Sequence, residues 1–323
     1  VQAIVESAFQ SAGQRCSALR CLYVQEDIAD SFLEMLTGAM DALVMGAPWD
    51  YASDLGPVID AEAKAGIAAH IAQAQAEGRV LKTYPTPDIG HYVAPTLIRV
   101  NGIEDLEREI FGPVLHVATY KASKIDTVID TINATGYGLT FGLQTRIDDR
   151  VQHVTERVHA GNLYVNRNQI GAIVGSQPFG GEGLSGTGPK AGGPLYLDRF
   201  RHHAAPEADL AAQVATSDAA ALETRLRRAA ATGPVTRHEL PGPTGEANQY
   251  TTRPRLPVLC LGPGDSAAAE QARRITEFGG VAVESGGTRE AETLATLDGF
   301  SGVVWWGDAG TARALRCSLA KRP

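Results

Sequence analysis

Apolar positions recur along the first 200 residues at two alternating periods. Val1 to Gln10 places Ile4, Val5 and Ala8 on one helical face, and Gly13 ends that pattern. Leu19 to Val24 reads as a short strand. From Asp27 to Leu43 a stripe of Ile28, Phe32, Met35, Leu36, Ala39 and Leu43 repeats every 3.6 residues and predicts an amphipathic helix. Asp60 suits an N-cap and Gly78 a C-terminal stop, bracketing a helix with Ile67 and Ile71 inward. Val114 to Tyr120 predicts a strand. Ser123 is expected to cap a helix bearing Ile125, Ile129 and Ile132. Thr140 to Thr145 predicts a strand, Asp148 to Val158 a helix with Val151, Val154 and Val158 inward, and Asn162 to Asn166 another strand. This alternation predicts an α/β fold with a mostly parallel sheet and flanking helices.

The texture changes near residue 201. His202 to Ala231 is rich in Ala and Arg, and Gly233 to Pro257 carries five prolines and few apolar runs. The stretch 201–254 therefore reads as a connecting region, partly helical and then extended. From Leu256 the pattern resumes: a strand to Leu261, a turn at Gly262-Pro263-Gly264 and a helix from Ala267 to Phe278. A strand at Val281 to Val283, a helix at Arg289 to Leu297 and a strand at Val303 to Trp306 follow. Residues 255–323 thus predict a partial Rossmann-like α/β unit, small for an independent core.

Length and composition bound the answer. The 323 residues leave room for two domains at about 100–200 residues each. Hydrophobic residues at 44% and charged residues at 20% exclude a disordered chain. A net charge of −8, with the Arg scattered and Lys few, argues against nucleic acid as a partner. Cys16, Cys21, Cys260 and Cys317 form no C-x-x-C pair and no regular framework, which fits a reducing cytoplasm. No run of 18 apolar residues predicts a membrane span, and Val1 to Gln10 has no basic segment of a signal peptide. The chain opens on Val1 and reaches Lys321-Arg322-Pro323 with a helical pattern still running. It is expected to be a piece of something longer.

Three segments carry candidate chemistry. The first is Gly13-Gln14-Arg15-Cys16-Ser17. A thiolate is the reactive form of Cys and is favoured near cations and helix N-termini; the competing reading is a buried, inert thiol. Cys21, in an apolar strand, is read as such a core thiol. The second is Glu109-Ile110-Phe111-Gly112-Pro113-Val114, where a carboxylate before a turn could accept two ribose hydroxyls or simply be solvated. The third is Gly171 to Gly193, with nine glycines in 23 residues. It contains Gly181-x-Gly183-x-x-Gly186, a dinucleotide fingerprint in letters only. That fingerprint needs a strand before it and a helix within it, and the prolines here forbid the helix. An irregular loop approaching a ligand or another surface fits better. Gly262-x-Gly264 is better placed, after a strand and before a helix, but lacks the third Gly; Glu284 would be its ribose ligand. No His/Cys cluster, H-E-x-x-H or G-x-S-x-G occurs, so no metal site or hydrolase elbow is expected. His202-His203 reads as solvated.

Taken together, the order and wording of these segments resemble the aldehyde dehydrogenase superfamily: G-Q-R-C-S-A, then E-I-F-G-P-V, then P-F-G-G and S-G-T-G. N-A-T-G-Y-G-L at 133–139, G-N-L-Y-V-N-R at 161–167 and the run 171–193 narrow the resemblance. They look like the L-glutamate γ-semialdehyde (pyrroline-5-carboxylate) dehydrogenase module of the bacterial proline utilization A family. P-G-P-T-G-E at 241–246 and the unit after it look like that family's C-terminal extension. The resemblance implies an aldehyde dehydrogenase catalytic domain over 1–200 and NAD as cofactor. FAD would belong only to a proline dehydrogenase module absent from this sequence. It implies Cys16 as nucleophile and oxyanion donor, Glu109 on the nicotinamide ribose and Phe111 beside the nicotinamide. Ser17, Gly171 and Ala172 would grip the substrate α-carboxylate, with Phe179 against its aliphatic chain. A homodimer is expected.

The resemblance also exposes a departure. The family's hydrolytic Glu, its oxyanion Asn and most of its NAD-binding domain precede the nucleophile, and only 15 residues do so here. Little or no activity is therefore expected of this chain alone. Two alternatives stay open: an aldehyde dehydrogenase of other specificity, and a non-catalytic assembly fragment.

Overall fold

A computed structural model describes residues 1–201, 219–229, 235–286 and 290–322. The chain divides into two compact units, Val1–Phe200 and Arg201–Pro323. In the first, α1 (Gln2–Phe9), β1 (Cys21–Gln25), α2 (Ala29–Asp41), α3 (Ala61–Ala76), β2 (Val80–Lys82), β3 (Thr96–Arg99) and β4 (Val114–Tyr120) come first. Then come α4 (Ile125–Ala134), β5 (Tyr137–Gly138), β6 (Thr140–Leu143), α5 (Asp148–Arg157), β7 (Asn162–Val165) and β8 (Glu182–Gly183). One sheet has the order β1-β4-β3-β2, parallel except for β2.

The sequence of β4 explains why this sheet is covered on both faces. Leu115 and Val117 point into a cluster with Phe9, Leu36, Met40 and Leu97, under α1 and α2. The alternate residue Val114 joins Ile67, Ala74 and Ile98, under α3. A strand buried on both sides is the signature of parallel sheets. The parallel pair β6/β7 carries α4 and α5 over a smaller core of Ile129, Val154 and Val158.

Local rules account for several boundaries. Asp60 Oδ1 accepts from Ala63 N at 2.8 Å and starts α3. Gly78, at φ +69°, ends it while Arg79 N donates to Ala74 O. Other boundaries differ from expectation. Ser123 does not cap α4: it lies in a 3₁₀ turn, and Lys124 is the N-cap with no side-chain bond. α2 begins at Ala29, two residues later than expected, and buries a face shifted from the expected stripe. Ala29, Leu36 and Met40 are buried, while Ile28 and Met35 are exposed.

The second unit holds α6 (Ala219–Arg228), β9 (Thr236–Leu240), β10 (Asn248–Thr252), β11 (Val258–Cys260), α7 (Gly264–Glu277), β12 (Ala282–Glu284), β13 (Gly302–Val304) and α8 (Ala309–Leu319). β9 and β10 form an antiparallel hairpin, and β12-β11-β13 a parallel sheet. Leu222 and Leu226 of α6 pack into the core of this unit with Leu259, Val283, Leu294 and Leu315. The helix expected over 289–297 is a 3₁₀ turn at Ala291–Ala295, and Arg289 lies outside the described residues, as do His202 and His203. α8 does not run to the end of the chain; it is capped by Asp308 Oδ1 on Thr311 N and closes at Leu319. Among the described residues no helix is long and apolar enough to cross a membrane, and no group of three metal-ligating side chains forms.

Candidate active site

Cys16 sits in a turn closed by Ala18 N donating to Arg15 O at 3.0 Å. Its side chain is exposed. No partner for its backbone N–H occurs among the described residues. The turn follows three consecutive residues at positive φ: Ser11, Ala12 and Gly13. For Ser11 and Ala12 this is backbone strain of order 1–3 kcal/mol each, held by surrounding contacts. Gln14 supplies one such contact, accepting from Ile59 N at 2.8 Å. Gly13 supplies another, since a Cβ there would overlap the carbonyl of Gly112. The backbone of the Cys16 segment thus lies against the Phe111-Gly112-Pro113 turn, nearly 100 residues away in sequence.

Arg20 joins the same two segments through its side chain. Its guanidinium donates to Gly13 O (2.7 Å), Arg15 O (3.0 Å) and Gly112 O (3.3 Å). It also donates to Glu109 Oε1 from Nε (3.0 Å) and pairs with the same oxygen through Nη2 (2.9 Å). The guanidinium carbon lies 4.9 Å from the Phe111 ring centroid. Burial draws the Arg20 pKa below its ordinary value, opposed by the charge of Glu109. Glu109 is half exposed and Phe111 is exposed.

The backbone of Arg20 is fixed by a buried histidine. His116 N and Nδ1 both lie 3.0 Å from Arg20 O. A carbonyl only accepts, so His116 Nδ1 carries the proton, and Nε2 accepts from His70 Nε2–H at 2.9 Å. Burial, with the neighbouring cations, pushes the His116 pKa down to about 4. The strand thiol Cys21 is less exposed than Cys16, and burial, with Glu104 and Asp105, pushes its pKa up to about 12.

The Gly171 segment approaches the Cys16 turn through Gln169. Gln169 Nε2 donates to Ser17 O at 3.2 Å, and Gln169 N donates to Ser7 Oγ at 3.1 Å. Ser17 is buried. Gly171 is exposed at φ +73°, and a Cβ there would meet nothing within 4 Å, so space opens beside it. Phe179 is held by a separate knot. It exchanges two backbone bonds with Ala191. Asn162 bonds Pro178 O and Gly180 N, and Lys190 Nζ donates to Gly161 O and Gly180 O at 2.5 Å each. Burial lowers the Lys190 pKa.

The sequence thus points to Cys16, Glu109, Phe111 and Gly171, which are exposed, and to Ser17, which is buried, but not to the more enclosed polar groups that place them: Ser7, Arg20, His116, Asn162, Gln169 and Lys190. The second glycine turn is arranged differently. Gln271, 1% exposed, accepts from Gly262 N at 3.0 Å and donates to Gly262 O at 2.7 Å, and Trp306 N donates to the same carbonyl. Gly262 has no backbone donor left for a phosphate.

Residues 1–204 match the aldehyde dehydrogenase family. The bifunctional protein PutA of Salmonella typhimurium (strain LT2) is 42% identical over 99% of this chain and 28% of its own length. A crystal structure of proline utilization A from Bradyrhizobium japonicum is 54% identical, covering 62% of this chain and 20% of that one, with a TM-score of 0.60. A structure of 1-pyrroline-5-carboxylate dehydrogenase from Thermus with bound NAD is 35% identical, covering 62% of this chain and 39% of that one, with a TM-score of 0.57. The chain thus spans well under half the length of these relatives.

Proposed function

The chain belongs to the aldehyde dehydrogenase family, and from that premise we propose that it carries the nucleophile and carboxylate-gripping part of an NAD-dependent oxidation of L-glutamate γ-semialdehyde to L-glutamate. The observation that carries this reading is an exposed thiol, Cys16, in a turn that follows a left-handed run and is tied by Arg20 to Glu109 and the Gly112 turn. The reading includes a catalytic portion over 1–200, a connection over 201–254 and a Rossmann-like portion over 255–323.

In this reading the Cys16 sulfur adds to the aldehyde carbon and the carbonyl electron pair moves to oxygen, where the Cys16 N–H donates. Bound NAD would supply the acceptor for the hydride of the same carbon. Water then displaces the sulfur from the thioester and releases the γ-carboxylate. The residues fit the nicotinamide end of that cofactor. Both Arg20 contacts fall on Glu109 Oε1, leaving Oε2 to accept from ribose hydroxyls, and Phe111 offers an exposed ring. Ser17, Gly171 and Ala172 hold the α-carboxylate where space opens beside Gly171, and Phe179 lies along the aliphatic chain. An amino-acid carboxylate suits backbone donors in such a glycine loop.

Glu6 is the single carboxylate before Cys16, and it is committed to Gln2 and Asn168 at 2.9 and 2.8 Å. A base for the hydrolytic water is therefore not supplied from that segment. The purified chain is expected to make little NADH from γ-semialdehyde, and turnover near that of a complete enzyme would overturn that expectation. The nucleophile itself is tested by alkylation. Iodoacetamide should label Cys16 rapidly and Cys21 slowly; equal slow labelling of both would favour the non-catalytic reading.

A further inference from the structure

We propose that Arg20 is the positioning residue of this site, locking the Cys16 turn to the Glu109–Gly112 turn and setting the charge beside the thiol. The inference rests on the reading of Cys16 and Glu109 given above. Arg20 lies four residues after Cys16 and directly before β1, whose first residue Cys21 pairs with His116 of β4. Its stem is therefore fixed by a sheet register, and its carbonyl by two bonds from His116. From that fixed stem the guanidinium reaches three carbonyls and one carboxylate, all belonging to the two turns. A planar fork with five N–H donors can do this; an ammonium cannot satisfy the same set at once.

The arrangement has an electrostatic consequence. The guanidinium is 14% exposed, donates to the Arg15 carbonyl next to Cys16, and has one anionic partner among the described residues, Glu109. Because the carboxylate is half exposed and held by one oxygen, its neutralisation of Arg20 is screened and incomplete. A residual positive field at the Cys16 turn favours an anionic reagent over a neutral one. Substituting Glu109 should strengthen that field, and substituting Arg20 should remove it. A purely structural role for Arg20 would alter stability without changing any charge preference.

The test compares alkylation of Cys16 by iodoacetate and iodoacetamide in the full 323-residue chain, with exposed Cys317 as internal standard. Peptide mass spectrometry separates the sites. R20Q should lower the iodoacetate-to-iodoacetamide ratio at Cys16 about two- to fivefold, the effect of one screened charge near a surface. E109Q should raise it by a similar factor, and R20K should hold it near the parent value while both rates fall. Should R20Q fail to fold, as shown by circular dichroism, E109Q decides the matter, because Glu109 is half exposed and its loss leaves the core intact. Ratios unchanged in E109Q, or in a folded R20Q, overturn the inference. The nucleophile reading fails separately, if Cys16 in the parent chain labels no faster than Cys317; the ratios remain readable in that case.

Discussion

Two buried polar side chains each stitch a glycine turn in this chain, and they leave opposite surfaces behind. In the second unit, Gln271 gives both ends of its amide to Gly262, and the turn is closed on itself. In the first unit, Arg20 ties two distant turns together and leaves Cys16, Glu109 and Phe111 facing solvent. A neutral amide matched to one glycine leaves no charge behind. A guanidinium whose five N–H groups are all taken, with Glu109 as its one half-exposed carboxylate partner among the described residues, leaves a positive charge. A glycine turn becomes a candidate site through the groups left over once its own backbone is satisfied.

The largest expected effect breaks the first turn at its closest approach. Gly13→Ala places a Cβ on the Gly112 carbonyl at a positive φ. It should cost about 2–5 kcal/mol, combining overpacking with left-handed strain, and slow Cys16 alkylation. Urea melts read against alkylation rates check both effects; a neutral substitution would mean the two turns do not touch.

Acid should strain the first turn next. The folded pKa of His116 is about 4, below the ordinary 6.5. As pH falls, the unfolded chain takes up the proton first. The stability from this group is complete above 6.5 and is lost between 6.5 and about 4, by up to about 3 kcal/mol. His116→Asn should flatten that part of a pH-dependent stability curve. A curve as steep in the variant as in the parent would assign the acid sensitivity elsewhere.

Smaller changes separate the two stitches. Gln271→Leu orphans the Gly262 N–H and should cost about 1–3 kcal/mol without changing the Cys16 charge preference. A shift in that preference would contradict the contrast drawn between the turns. Gly171→Ala meets open space, so about 1 kcal/mol from its left-handed φ is all that stability should lose. The same added methyl should weaken any carboxylate binding there, readable as a higher ligand concentration for half-protection of Cys16.

These contrasts also mark what could be read from the sequence. β4 sends Val114 into one core and Leu115 and Val117 into the other, and Asp60 and Gly78 announce α3; both signals are local. β3, at four residues after Pro95, and β2, at three, are too short for a period to register. β9 (TRHEL) is largely exposed and β10 (NQYTT) half-buried, and neither has an apolar face. α6 has only Leu222 and Leu226 to bury, so an Ala- and Arg-rich segment gave no stripe. Cys16, Glu109 and Gly171 were legible because exposed chemistry sits in recognisable wording. Arg20 was not: its partners Glu109 and Gly112 lie 89 and 92 residues away, and one Arg among 23 carries no local mark. Lys190 was hidden likewise, since nothing in its neighbourhood foretells the carbonyls of Gly161 and Gly180.

In the proposed function the Cys16 sulfur takes an amino-acid aldehyde whose carboxylate is held beside Gly171. The direct measurement is protection of Cys16 from iodoacetamide in this chain by L-glutamate γ-semialdehyde and by pentanal, an uncharged aldehyde of equal chain length. The semialdehyde should protect at a concentration at least about tenfold lower, the margin expected of charge-assisted hydrogen bonds to one carboxylate. Equal protection by the two aldehydes, or none by either, would contradict it.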